Sequence, residues 1–219
     1  MTKKFTRDSL KYYFITDHAL PDHLPLDQVR IVLSAGATMV QYRNKTFSLE
    51  KYTEAAAIRD LCRKFKVPFL INDHILLAKA LHADGVHLGQ DDNSPRLARQ
   101  ILGSRAIIGL SVSTLQELGK SDLSNCDYIG SGPAFATDTK TDAKPVRGPS
   151  GLSEVAAASP LPVVAIGGIT ADRLKICLQA GAAGAAVISF ITRAADPARN
   201  ALAFGKACGC RPRKTTVEK

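Results

Sequence analysis

Short β-branched runs alternate with longer amphipathic stretches along the whole chain. The runs that read as strands are YYFIT (12–16), TMVQY (38–42), FLIND (69–73), GVHLG (85–89), IIGLSV (107–112), YIGSG (128–132), VVAIG (163–167) and AAVIS (185–189), eight in all. Between them lie helical patterns such as SLEKYTEAAAIRDLCRKFK (48–66), where Ser48 is placed to cap the start and Pro68 to stop the end. Such alternation predicts a parallel sheet joined by helical crossovers. A longer repeat separates a closed ring from an open sheet. GATMV (36–40), HADGV (82–86), NCDYI (125–129) and GAAGAAV (181–187) introduce the even-numbered strands, while VPFLI (67–71) and LPVVAI (161–166) introduce strands 3 and 7. A quasi-repeat over every two strand–helix units predicts an α/β fold, a single (β/α)8 TIM barrel with eight parallel strands. The competing open doubly wound sheet would carry GxGxxG after its first strand, and none follows here.

The barrel is expected over 12–204, between a basic N-terminal extension (1–11) and a basic, disordered C-terminal tail (205–219). The net charge of +9 belongs largely to these ends. Lys3, Lys4, Arg7 and Lys11 lie in the first, and Lys206, Arg211, Arg213, Lys214 and Lys219 in the second. Basic ends on a near-neutral body predict solvated termini and no nucleic-acid partner. The most apolar stretch, ICLQAGAAGAAVISFI (176–191), is too short and too rich in Gly and Ala to span a bilayer. The N-terminus shows no apolar signal region, so a cytoplasmic setting without a membrane partner is expected. Five cysteines, at 62, 126, 177, 208 and 210, fit free thiols in a reducing compartment. Cys208-Gly209-Cys210 lacks neighbouring His or Asp for a metal site, and its purpose stays open.

In such a barrel the chemistry gathers at the C-terminal ends of the strands. Strand 2 delivers Gln41, Arg43 and Lys45 there, and strand 3 delivers Asn72, Asp73 and His74. Strand 4 brings His87, Gln90, Asp91 and Asp92, and strand 5 brings Ser111 and Ser113. Strand 6 opens into the loop 132–148 with Thr137, Thr139, Lys140, Lys144 and Arg147; strands 7 and 8 end in Gly167-Gly168 and Ser189. Period-two geometry puts Gln41, Arg43 and Lys45 on one strand face, where two cations and an amide call for an anion. Arg43, Lys45 and Lys140 suit a polyanion, the Arg as a fork and the Lys as point charges. Asp73 and Asp92 suit Mg²⁺, which takes one or two protein carboxylates and completes its shell with water and phosphate. Gly167-Gly168 and Ser189 suit a phosphate held by backbone N–H groups. Together these imply two substrates, one carrying a diphosphate. Blander readings compete: an ion-pair network of Arg43, Lys45, Asp73 and Asp92, and a plain tight turn at Gly167-Gly168. His87 alternates with Gly85 and Gly89 and is expected inside the barrel as a hydrogen-bonded packing residue.

VQYRNK, FLIND, ADGVHLGQDD, IIGLS, GPAFATDTK and VVAIGGI, in that order, resemble the motifs of the thiamine phosphate synthase family. The likeness runs from about Tyr13 to about Ala203. It implies a transferase that joins hydroxymethylpyrimidine diphosphate to a hydroxyethylthiazole phosphate by a Mg²⁺-assisted dissociative substitution, releasing pyrophosphate. By position, the resemblance assigns Gln41, Arg43, Lys45, Asn72, Ser111 and Lys140 to the pyrimidine diphosphate, with Arg43, Lys45, Lys140 and Ser111 as the catalytic set. It assigns Asp73 and Asp92 to Mg²⁺, and Thr137, Thr139, Gly168, Ile188 and Ser189 to the thiazole phosphate. The implied partners are these two small molecules, with a homodimer allowed. Asn44 stands where the family has Asp and is expected to face away and matter little; His74 and Ala136 also depart from the pattern. Ser113 stands where related thiazole tautomerases carry a proton-transferring His, which favours the synthase. The alternatives are a tautomerase-like enzyme and a non-catalytic regulatory barrel that binds thiamine-related phosphates.

Overall fold

The computed structural model describes residues 5–20, 23–137, 139 and 145–213; Lys140 and Lys144 lie outside them. Eight strands close a parallel barrel in sequence order, β1 (Tyr12–Ile15), β2 (Met39–Tyr42), β3 (Phe69–Asn72), β4 (Gly85–Leu88), β5 (Ile107–Ser111), β6 (Tyr128–Ser131), β7 (Val163–Ile166) and β8 (Gly184–Val187). The seam is a β1–β8 pairing with Tyr13 opposite Ala186. Around the barrel run α1 (Pro25–Ser34), α2 (Tyr52–Lys64), α3 (Ile75–Ala80), α4 (Pro95–Leu102), α5 (Leu115–Lys120), α6 (Gly148–Ala158), α7 (Ala171–Gln179), α8 (Ser189–Thr192) and α9 (Pro197–Ala207). All eight expected strands are present.

Alternation along each strand makes two cores. Tyr12, Phe14, Val40, Tyr42, Phe69 and Ile71 face outward into a layer shared with the helices. Tyr13, Ile15, Met39, Leu70, Ile107, Tyr128 and Val164 fill the barrel itself. Strands buried on both faces must be apolar on both, which is why they read as continuous runs. The interior positions then decide what the mouth can hold.

Two boundaries differ from expectation. The segment 48–66 is not one helix: a 3-10 turn, Leu49–Lys51, precedes α2, and Ser48 makes no side-chain cap bond. The ends are also less detached than their charge suggests. Phe5 packs on Tyr128 at 5.9 Å between ring centroids, and Leu10 is fully buried against the barrel floor. At the other end α9 continues to Ala207, and Arg213 donates from its backbone N–H to Ser34 O (2.8 Å) and from Nη1 to Ala37 O (2.8 Å). Carbonyls at the end of α1 need donors, and a basic side chain supplies them; local charge does not reveal that. Among the described residues no helix is long and apolar enough to cross a membrane.

Candidate active site

The C-terminal strand ends surround a cavity of about 390 Å³. Its wall includes Gln41, Arg43, Lys45, Asn72, Asp73, Asp92, Ser111, Thr137, Thr139, Gly168, Ile188 and Ser189, all of the expected site residues except the undescribed Lys140. Only Gln41 of the opening trio belongs to a strand. β2 ends at Tyr42, so Arg43 and Lys45 reach the cavity from the loop rather than from a pleated face. That loop is shaped by Asn44, which is buried and accepts at Oδ1 from Thr46 N (3.0 Å) and Thr46 Oγ1 (3.2 Å). An Asx turn of this kind sets where the flanking cations point, so Asn44 is a structural element of the site and not a bystander.

Asp73 follows β3 with φ 62°, a left-handed conformation that Asp tolerates better than most residues. Its N–H bonds to His87 O at 2.9 Å, fixing the turn against β4. Asp92 reaches the same place from the β4 loop and accepts from Gly89 N at 2.7 Å. Burial, a shared hydrogen bond with Asp92 and that residue's like charge push the Asp73 carboxyl up to about 6, although Lys45 and Arg43 pull the other way. Two neighbouring carboxylates at the mouth, with oxygens open to a phosphate, fit Mg²⁺. No group of three or more metal-ligating side chains occurs among the described residues.

Across the cavity, Gly167 and Gly168 have φ of 97° and 60°. A side chain at Gly168 would strike Phe135 Cβ at 2.9 Å and the Ala136 carbonyl; one at Gly167 would meet Pro133 Cβ at 2.6 Å. The pair is therefore required both by conformation and by the approach of the β6 loop. Thr137, Thr139 and Ser189 stand beside it, and an adjoining recess adds Arg173 and Arg193. Arg173 Nη1 donates to Gly168 O at 2.7 Å and its guanidinium lies 4.7 Å over the Phe135 ring. Arg193 Nε donates to the buried Asp17 at 3.2 Å, tying the end of β1 to α8. Neither arginine stands out in the sequence, because both lie beyond the strand ends, on or just after a helix.

Below the mouth a largely buried chain of side chains joins Gln41 to Ser111 across the barrel interior. Gln41 Nε2 donates to Tyr13 Oη (2.5 Å), which shares a hydrogen bond with Tyr128 Oη (3.0 Å). Tyr128 Oη meets His87 Nδ1 at 2.9 Å, and His87 Nε2 meets Ser111 Oγ at 3.0 Å. His87 points into the barrel as expected. A side chain at Gly109 would collide with Tyr128 and His87, so that glycine leaves the room the chain occupies. Desolvation pushes both tyrosine hydroxyls well above their ordinary range, keeping them protonated as donors.

The sequence profile of the thiamine monophosphate synthase (TMP-TENI) family matches residues 12–191. A thiamine-phosphate synthase of Bacillus licheniformis is 40% identical over 211 residues, covering 94% of each chain. One from Streptococcus suis is 44% identical over 197 residues, covering 87% of this chain and 86% of its own. The solved structure of a thiamine phosphate pyrophosphorylase from Pyrococcus furiosus superposes with a TM-score of 0.83 at 35% identity, covering 93% of this chain and 97% of the other. With most of its length matched and its strand-end residues gathered at one cavity, the chain belongs to the thiamine monophosphate synthase family.

Proposed function

We propose that the chain is a thiamine-phosphate synthase, joining a hydroxymethylpyrimidine diphosphate to a hydroxyethylthiazole phosphate with release of pyrophosphate. The observation that carries this reading is the gathering, in one cavity, of the Asp73–Asp92 carboxylate pair with Arg43 and Lys45, opposite a glycine and hydroxyl cup. A diphosphate would lie against Arg43 and Lys45, with Lys140 as a third cation from the β6 loop. Asp73 and Asp92 would hold Mg²⁺, which when bound supplies positive charge to the diphosphate oxygens. Gln41 and Asn72 would orient the diphosphate arm, and Ser111 would hold the pyrimidine ring. Thr137, Thr139, Gly168, Ile188 and Ser189 would seat the thiazole phosphate on the far side.

The chemistry follows from that placement. As the pyrophosphate leaves, the C–O bond breaks and the aminopyrimidine ring carries the resulting cation. The thiazole nitrogen attacks with an in-plane lone pair, so no proton has to be removed from the nucleophile. Catalysis then rests on holding two rings in line and stabilising charge on the leaving group. A tautomerase would leave the carboxylate pair and the cations beside it without a task, and Ser113 is a weak substitute for a proton-transferring His. The five free thiols, three of them buried, support a reducing cytoplasmic setting.

The test mixes the purified chain, both substrates and Mg²⁺ and looks for thiamine phosphate and pyrophosphate. Product should require both substrates and the metal. Lys140→Ala and Asp73→Asn should each lower turnover by roughly 10²–10³ while the protein stays folded. Near-wild-type turnover in both variants would overturn the residue assignments, and no product from folded wild type would overturn the activity.

A further inference from the structure

On the barrel face opposite the cavity, Cys208-Gly209-Cys210 closes α9. Cys208 is the helix C-cap, and Gly209 follows at φ 68°, reversing the chain so that Cys210 N donates back to Gly205 O at 2.8 Å. The reversal folds Cys210 back beside Cys208 at the end of the helix. Cys208 Sγ also lies 3.1 Å from Lys11 O, and Cys210 Sγ lies 3.9 Å from Cys208 O. Both residues are partly exposed, whereas Cys62, Cys126 and Cys177 are buried. Lys11 and Arg213 lie near the pair, Lys11 itself paired with Asp8 at 3.0 Å, and the Tyr12 hydroxyl is close by. An adjacent, accessible dithiol in a cationic notch is the arrangement that thiol–disulfide chemistry needs.

We propose that Cys208 and Cys210 form a redox-reactive dithiol site, which accepts low-molecular-weight disulfides and closes to an intramolecular Cys208–Cys210 disulfide. In the first step the Cys210 thiolate attacks one sulfur of the small disulfide RSSR. The RS–SR bond breaks, a Cys210–SR bond forms, and RS⁻ departs carrying the electron pair. Cys208 then attacks Cys210 Sγ and expels the second RS⁻. The two thiol protons end on the two RS⁻ groups, so RSSR is reduced to two RSH as the protein dithiol is oxidised.

The electrostatics favour these roles. The Cys208 hydrogen bond, helped by Arg213 and Lys11, lowers the Cys210 thiol to about 7, despite the opposing burial and Asp8. Cys208 is raised by its neighbour Cys210 and by burial. Burial holds Cys126 up at about 12 and Cys177 at about 11, so they serve as inert internal references. A lowered thiol carries more thiolate at neutral pH than an ordinary cysteine, an advantage partly offset by its lower nucleophilicity.

The experiment treats the full reduced chain with oxidised glutathione, blocks free thiols with an alkylating agent, digests with trypsin and weighs the 207–213 peptide, since the Arg211–Pro212 bond resists trypsin. The expected product is about two mass units lighter than the reduced peptide, unalkylated, and restored by dithiothreitol. Cys208→Ser should stop at a stable glutathione adduct on Cys210, and limiting iodoacetamide should label wild-type Cys210 before any other thiol. A wild-type peptide that stays reduced and fully alkylated overturns the proposal, as does equal labelling of Cys62, Cys126 or Cys177. The decisive measurement uses wild-type protein, so its outcome stands even if a variant misfolds.

Discussion

Tyr128→Phe removes one oxygen from the middle of the buried chain that runs from Gln41 to Ser111. That oxygen is 3.0 Å from Tyr13 Oη and 2.9 Å from His87 Nδ1. Tyr13 and Tyr128 are essentially inaccessible to water, at 1% and 0% exposure, so no solvent molecule can stand in for the lost hydroxyl. The ring and its packing are kept, and the cost is two hydrogen bonds plus a His87 nitrogen stripped of its Tyr128 bond. At about 1–1.5 kcal/mol per bond the loss should reach about 2–3 kcal/mol. For a chain of 219 residues this lowers the melting temperature by roughly 4–12 °C. Urea unfolding is the assay, with the midpoint shifting and the slope unchanged. A double-mutant cycle with Tyr13→Phe should show coupling of at least about 0.5 kcal/mol, because the second mutation removes a bond already broken. Kinetically, KM for the pyrimidine substrate should rise more than KM for the thiazole. A stability loss under about 0.5 kcal/mol with additive single mutants would refute the connected chain.

Gly168→Ala should cost about 1–3 kcal/mol and raise KM for the thiazole phosphate, because its Cβ meets Phe135 and the Ala136 carbonyl; unchanged unfolding and kinetics would count against the cup. Asn44→Ala should lower both stability, by about 1 kcal/mol, and turnover, whereas Asn44→Asp keeps the acceptor for Thr46 and should behave nearly as wild type in both assays. Arg213→Ala frees the carbonyls of Leu33 and Ala37 and should lower unfolding stability by about 1–2 kcal/mol without changing turnover; no loss would mean that the C-terminal segment is decoration.

The strands are legible in the sequence because burial on both faces demands β-branched and aromatic runs, and the eight-unit rhythm leaves one closed arrangement. The cavity's polar wall is legible for a related reason: in this fold, polar residues at strand ends have nowhere else to go. What stays hidden depends on long-range partners. Tyr13 and Tyr128 look like ordinary strand aromatics, and only the ring closure sets their hydroxyls 3.0 Å apart. Asn44 looks expendable when period-two reasoning is carried past Tyr42, where the strand has already ended. Arg213 looks like loose tail charge, since nothing near it in sequence announces the carbonyls that it satisfies.

The two ends of the described chain meet the barrel on the same side. Phe5 sits under Tyr128 at the floor, and Arg213 is pinned to Ser34 and Ala37, where α1 passes into β2. The substrates enter from the other side. An attachment made at Phe5 or at Arg213 therefore starts from the face away from the cavity mouth. The floor of the barrel is thus the face at which the fold can be held without covering its cavity.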